Sequence, residues 1–91
     1  MATYMETSTM PPMKSIKDKA TFYAVDFKNK ILIAFVGETK VNITGYVIEY
    51  NKPKYVYSIK KEVLNKRIEG RQIDYTLDYD KAVKMLSSIP K

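Results

Sequence analysis

A basic stretch from residue 52 to residue 71 contains the side chains best suited to a specific chemistry. It holds seven lysine and arginine residues against two glutamates, and so carries five of the six net positive charges of the 91-residue chain. Tyrosines lie in its first part and just before it. Basic side chains replace the counterions of phosphates, and tyrosine rings offer bases a surface for stacking. The sequence therefore predicts a nucleic-acid-binding surface made of Tyr46, Tyr50, Lys52, Lys54, Tyr55, Tyr57, Lys60, Lys61, Lys66, Arg67 and Arg71.

The expected partner is a single strand or a phosphate backbone rather than a specific duplex sequence. Neither an RNA-recognition signature, nor zinc-finger spacing, nor a basic zipper is present in the chain. The alternative is a solvated basic face beside an ordinary tyrosine-containing core, in a protein-interaction module. Such a module, for example a small inhibitor or adaptor, would dock through a sheet edge or form a homodimer. Tyrosine and lysine on one exposed face favour nucleic acid, whereas an unpaired edge favours a protein partner.

Three clustered carboxylates, Asp74, Asp78 and Asp80, leave a magnesium-dependent nuclease as a remote alternative. The local pattern explains them better as structural residues. Asp78 is suited to cap a helix, Asp80 falls in its first turn, and Asp74 is a polar position of an alternating strand.

The chain contains no cysteine and no histidine. Catalytic triads, cysteine–histidine pairs and the usual zinc sites are therefore excluded. Its three glycines are isolated, so no glycine-rich phosphate loop is present. We expect a protein that is not an enzyme and uses no cofactor or metal.

Alternating apolar residues predict a small antiparallel sheet. Residues 31–36 are apolar at consecutive positions, which is typical of a central strand covered on both faces. In the third strand the apolar pattern changes its parity at Gly45, which predicts a β-bulge there. Tyr23 and Tyr75 lie within apolar alternation and are expected in the core. The predicted strands of this meander are 21–27, 31–36, 41–50 and 55–58, with a further strand at 71–77.

Two helices are expected after the fourth strand. Ser58 would cap a helix over 59–69 that ends at a left-handed Gly70, although the strand could instead continue to Val63. Asp78 would begin a second helix over 79–88. The predicted fold class is α+β: an antiparallel sheet of four to five strands, covered on one face by the C-terminal helix and by the further short helix.

The chain is divided by its composition into a flexible tail over 1–17 and one α+β domain over 18–91. The prolines Pro11 and Pro12 disfavour regular structure in the tail. The first 13 residues have neither a basic residue nor an apolar core of a signal peptide, and the longest apolar run is far below the ~20 residues that span a bilayer. We expect an intracellular, cytoplasmic protein without membrane association, whose composition would suit an AT-rich source such as a small viral genome.

Overall fold

Five antiparallel strands form one sheet in the computed structural model, which describes residues 10–90. The strand order is β4-β3-β2-β1-β5, so the first four strands form a meander and the last one joins at β1. The predicted α+β fold with a small antiparallel sheet is therefore confirmed. The strands are β1 (Phe22–Asp26), β2 (Ile31–Glu38), β3 (Asn42–Glu49), β4 (Lys52–Lys60) and β5 (Ile73–Thr76).

Helices cover both faces of the sheet. The described residues form α1 (Met13–Lys19), α2 (Lys61–Glu69) and α3 (Tyr79–Ser87). Buried residues of α1 and α3 share one apolar cluster with the sheet, and a buried residue of α2 belongs to a second cluster on the other side. We call these sides the α1/α3 face and the α2 face.

The expectation that both later helices lie on one face is wrong. The cause is visible in β2, where four consecutive residues, from Leu32 to Phe35, are buried. Successive side chains of a strand point to opposite faces, so this strand needs an apolar cover on each of them. The consecutive apolar residues 31–36 predict that β2 is the central strand, and the strand order confirms it.

The N-terminal helix α1 corrects the predicted tail. The segment 13–17, assigned to the tail from its sequence, is helical, and Ile16 within it is only 1% exposed. Pro12 occupies the N-cap with extended backbone, a position where the missing N–H of proline does no harm. The two prolines therefore precede a helix instead of preventing one. Residues 1–9 of the predicted tail lie outside the described residues.

The third strand alternates regularly through Gly45, so the predicted bulge in β3 is wrong. Ile43 and Val47 contact the α2 face, whereas Tyr46 and Ile48 contact the α1/α3 face. Both sets are apolar because the strand is covered on both sides. The apparent change of parity results from reading a two-sided strand as a one-sided one.

A close backbone approach explains the glycine at position 45. A Cβ atom there would overlap the carbonyl oxygen of Ala34 and lie 2.7 Å from the Cα atom of Phe35. The irregularity of this strand pair is in β2 instead, where the register shifts between Phe35 and Gly37. Gly45 does not have a positive φ.

The fourth strand begins earlier than predicted, because the residues 52–54 belong to β4 and not to a turn. The tight turn is formed by Tyr50 and Asn51, whose φ angles are 53° and 62°. Two successive left-handed residues match the right-handed twist of the hairpin.

The start of α2 differs from the prediction as well. Ser58 does not cap the helix: β4 continues to Lys60, which is the N-cap and makes no side-chain cap hydrogen bond. The rival prediction of a longer strand is therefore correct for two further residues, after which the helix begins.

Arg71, and not Gly70, takes the left-handed position after α2. Its φ is 61°, whereas that of Gly70 is −81°. The N–H of Arg71 donates to the Ile68 carbonyl and the N–H of Gln72 to that of Arg67, at 3.0 and 2.9 Å. This pair of hydrogen bonds is a Schellman motif, which places its left-handed residue one position beyond the helix cap.

The C-terminal helix α3 follows the prediction more closely. The Asp78 carboxylate accepts a hydrogen bond of 3.0 Å from the N–H of Asp80 and so caps the helix. Ala82 is buried and Leu86 packs against the α1/α3 face, but Val83 is 37% exposed. Within residues 10–90, none of the helices is long and apolar enough to cross a membrane.

Candidate nucleic-acid interface

The meander brings two turns to the same end of the sheet. Consecutive antiparallel strands run in opposite directions, so the β1–β2 turn and the β3–β4 turn are neighbours, and the β2–β3 turn lies at the opposite end. The connection from α2 to β5 lies at the same end as these two turns, since Phe27 N–H donates a 2.9 Å hydrogen bond to the Gln72 carbonyl. We call this end of the sheet, with residues 27–30, 49–54 and 70–72, the hairpin end.

The topology divides the predicted basic surface into separate groups. Lys52 and Lys54 at the start of β4 and Arg71 after α2 belong to the hairpin end. Lys60 and Lys61 lie at the opposite end of the sheet, because β4 runs for nine residues from Lys52 to Lys60. That length corresponds to roughly 25 Å. Lys66 and Arg67 belong to the last turn of α2, on its way to the hairpin end.

Two lysines absent from the sequence-based site lie at the hairpin end. Lys28 and Lys30 belong to the β1–β2 turn and are exposed. The buried carboxylate of Asp26 holds this turn, since it accepts hydrogen bonds of 3.0 Å from the backbone N–H groups of Lys28 and Asn29. A meander places alternate turns at the same end, and that rule would have indicated these lysines from the sequence.

The tip of the β3–β4 hairpin presents a tyrosine to solvent. Tyr50 is 90% exposed and has a left-handed backbone, which is unusual for a bulky residue. Its neighbour Asn51 accepts a 2.9 Å hydrogen bond from the Tyr79 hydroxyl, so α3 supports the tip. The ring of Tyr79 is itself held by an edge-to-face contact with Tyr23 at 5.4 Å and by Lys17 Nζ at 4.4 Å from its centre.

A groove of about 830 Å³ lies between this hairpin and α3. Tyrosines and lysines both line it, namely Tyr50, Tyr55, Lys30 and Lys54, and so do two acidic residues, Glu49 and Asp80. Its inner wall is apolar and formed largely by α3 and by the strands beneath it. Residues of this wall include Leu32, Ile48, Tyr79, Val83, Leu86 and Ile89.

The four predicted stacking tyrosines fall into two pairs. Tyr50 and Tyr55, which are 90% and 45% exposed, remain accessible. Tyr46 packs against the α1/α3 cluster, and Tyr57 contacts the Phe35 ring edge-to-face at 6.1 Å on the α2 face. An open sheet face with four rings is therefore not formed.

Burial also changes the acidity of the Tyr57 hydroxyl. Desolvation raises the pKa of Tyr57 above its ordinary value of 10.0, and the positive charge of Arg67 beside the hydroxyl opposes this rise in part. The guanidinium group of Arg67 is thus directed to a tyrosine hydroxyl.

Tyr23 is buried as predicted, whereas Tyr75 is 53% exposed and is not a core residue. The reason is that Tyr75 belongs to an edge strand, β5, where among residues 10–90 its aromatic neighbour is the Phe22 ring.

Two predicted site lysines have acidic partners. Lys54 forms an ion pair with Glu49, and Lys61 forms one with Glu38. The hydrogen bond and the charge of Glu49 raise the pKa of Lys54. Such exposed pairs contribute little free energy, so a phosphate group can replace the carboxylate.

The candidate carboxylates serve the backbone. Asp74 accepts a hydrogen bond from the N–H of Tyr75 at 2.8 Å, and Asp78 caps α3 as described above. Over residues 10–90, no three acidic side chains are close enough together to hold a metal ion.

The candidate site is not matched by a known protein. The chain matches no protein-family model, no curated protein and no solved structure.

Proposed function

We propose that the hairpin end binds single-stranded nucleic acid without catalysing a reaction. One observation carries this proposal: two exposed tyrosines, Tyr50 and Tyr55, line the same groove as Lys30 and Lys54. A single strand presents unstacked bases and a charged backbone together, and this groove offers a complement to each of them.

The charge of the surroundings supports the same proposal. Besides the groove lysines, Lys28, Lys52 and Arg71 are exposed at the hairpin end. Glu49 is paired with Lys54, and the carboxylate of Asp26 is buried and fully occupied by the turn. The hairpin end as defined above thus holds five basic side chains against one acidic side chain, Glu49, and counterion release would contribute to binding.

The rings define the nature of the bound strand. Helices cover both faces of the sheet, so bases would stack on the hairpin and within the groove rather than across a sheet face. A duplex keeps its bases stacked on one another and would contact the lysines alone. The proposal therefore includes a preference for single strands over duplex DNA of equal length. An intracellular location, expected from the sequence, is part of the same proposal.

Fluorescence anisotropy with a labelled oligothymidine at about 50 mM salt tests the role of the rings. Tyr50→Ala should weaken binding by ~1–3 kcal/mol, which is the free energy of stacking one base. Tyr75→Ala is the matched control, because it removes an exposed ring from the opposite edge strand. Equal affinities for the two variants, or no binding by the unchanged protein, would contradict the proposal.

A second candidate function is a protein-interaction module that works through the edge of β4. The observation in its favour is the position of β4, a nine-residue strand at the edge of the sheet. Its register with β3 shifts beside Lys54 and is regular from Tyr55 to Lys60, and a regular exposed edge of this kind can accept a strand from another chain.

A further inference from the structure

The outer edge of β4 has free backbone groups at known positions. Within residues 10–90, β3 is the one strand that pairs with β4. Lys61 N–H donates to the Val41 carbonyl at 2.8 Å, and the register pairs Lys60 with Asn42. Antiparallel pairs alternate between bonded and non-bonded positions. The N–H and C=O groups of Val56 and Ser58 therefore point outward, away from β3.

The side chains near these groups permit the approach of another strand. Val56 is 56% exposed and Ser58 is exposed, and both lie on the α1/α3 face because they pair with Tyr46 and Thr44. A β-branched partner residue could lie across Val56 and gain apolar contact.

Lysines flank this segment at both of its ends. Lys52 and Lys54 precede it, and Lys60 and Lys61 follow it; Lys54 is paired with Glu49 and Lys61 with Glu38, in exposed ion pairs that a partner's carboxylate can replace. Pairing of two β4 edges about a two-fold axis is antiparallel, so it would bring the Lys52 end of one chain towards the Lys60 end of the other. Like charges opposite one another destabilise a strand pair. The charges thus disfavour a second copy of the chain and favour a strand with acidic ends.

We propose that the β4 edge binds an extended acidic segment of another protein by strand addition. The segment would have acidic residues at both ends and β-branched residues at its centre. Its backbone would bond to Val56 and Ser58, and its carboxylates would pair with the flanking lysines. This inference rests on the second candidate function and uses a surface beside the groove.

A labelled peptide of about nine residues, with the sequence Glu-Asp-Thr-Val-Thr-Val-Thr-Asp-Glu, is the probe for anisotropy measurements on the full chain. Ser58→Pro removes the outward N–H and leaves the hydrogen bonds to β3 intact, so peptide binding should weaken by about tenfold or more. Ser58→Ala is the matched control, because it keeps the N–H, and should bind like the unchanged protein.

Two modified peptides separate strand addition from simple charge attraction. N-methylation of the central alternate amides that face β4 should abolish binding, while methylation of the intervening amides should not. These peptides also decide the matter if Ser58→Pro fails to fold. Equal binding of both methylated peptides, or of a folded Ser58→Pro variant, would overturn the proposal.

Sedimentation equilibrium tests whether a second copy of the chain occupies the β4 edge. A dimer of the unchanged protein that Ser58→Pro dissociates would assign the edge to a second copy and would also overturn the proposal. The failure of peptide binding is distinguishable from a failure of the groove, because oligothymidine binding should be the same in Ser58→Pro and in the unchanged protein.

Discussion

The hydroxyl of Tyr79 donates a 2.9 Å hydrogen bond to the side-chain oxygen of Asn51 and so joins α3 to the tip of the β3–β4 hairpin. Tyr50, the exposed ring of the candidate site, is the residue before Asn51. The position of that ring therefore depends on a contact from the last helix of the chain. A two-residue turn has few other means of holding its tip in place.

Removal of this hydroxyl should loosen the hairpin tip. Tyr79→Phe keeps the ring contacts but loses the hydrogen bond, so the free energy of unfolding should fall by about 0.5–1.5 kcal/mol. Oligothymidine binding should weaken as well. Tyr75→Phe, which removes an exposed hydroxyl from β5, is the control and should change neither quantity. Chemical denaturation and anisotropy measure both effects, and equal behaviour of the two variants would show that the hydrogen bond does not support the tip.

Two glycines of the β2–β3 pair should differ sharply in their tolerance of a methyl group. Gly45→Ala would place Cβ against the backbone of Ala34 and Phe35, so it should destabilise the fold by about 3 kcal/mol or more. Gly37→Ala meets nothing within 4 Å and should be neutral or slightly stabilising. Thermal unfolding of the two variants is the measurement. A stable Gly45→Ala protein would mean that the backbones of β2 and β3 do not approach this closely.

The left-handed residue after α2 offers a stabilising substitution. Arg71→Gly removes the steric cost of a side chain at a φ of 61° and should raise the free energy of unfolding by about 1 kcal/mol. Gly70→Ala, at a φ of −81°, should also stabilise by about 0.4–1 kcal/mol. Urea denaturation distinguishes the two possible caps: if Gly70 were the left-handed position, its alanine variant would be clearly destabilised.

The N-terminal helix should contribute to the core. Ile16 is 1% exposed, so Ile16→Ala should cost about 2–5 kcal/mol. Lys14→Ala, on the exposed side of the same helix, should stay within about 0.5 kcal/mol of the unchanged protein. A small effect of Ile16→Ala in denaturation experiments would show that this segment is not part of the core.

The strands and the last helix are predictable from the sequence because their patterns are local. Alternation predicts β1, the consecutive apolar residues 31–36 predict β2, and the capping geometry of Asp78 predicts the start of α3. The number of covered faces is also encoded, in the consecutive apolar residues of β2 and β3. The same pattern at Gly45 predicts a bulge only if one face is assumed to be apolar.

Long-range features of the candidate site are harder to predict. The basic stretch is continuous in sequence, but the length of β4 separates Lys52 from Lys60. Conversely, Lys28 is distant in sequence from Tyr50, yet the meander brings their turns to one end. Exposure of single rings depends on the placement of α1, α2 and α3, and the sequence contains no signal for the side on which α2 packs.

A comparison of two lysine pairs tests the central claim, that nucleic acid binds at the hairpin end. Lys28→Gln with Lys52→Gln removes two charges from the hairpin end, and Lys40→Gln with Lys60→Gln removes two from the opposite end. Each pair consists of one turn residue and one terminal residue of β4, so the change in net charge and in context is matched.

The measurement is the slope of log K against log[salt] for oligothymidine binding. Loss of two phosphate contacts should flatten the slope by roughly 1.4 for the hairpin-end pair, since each contact to a single strand contributes about 0.7. The opposite-end pair should keep the slope of the unchanged protein. Equal slopes for both pairs, or a larger change for the opposite-end pair, would contradict binding at the hairpin end.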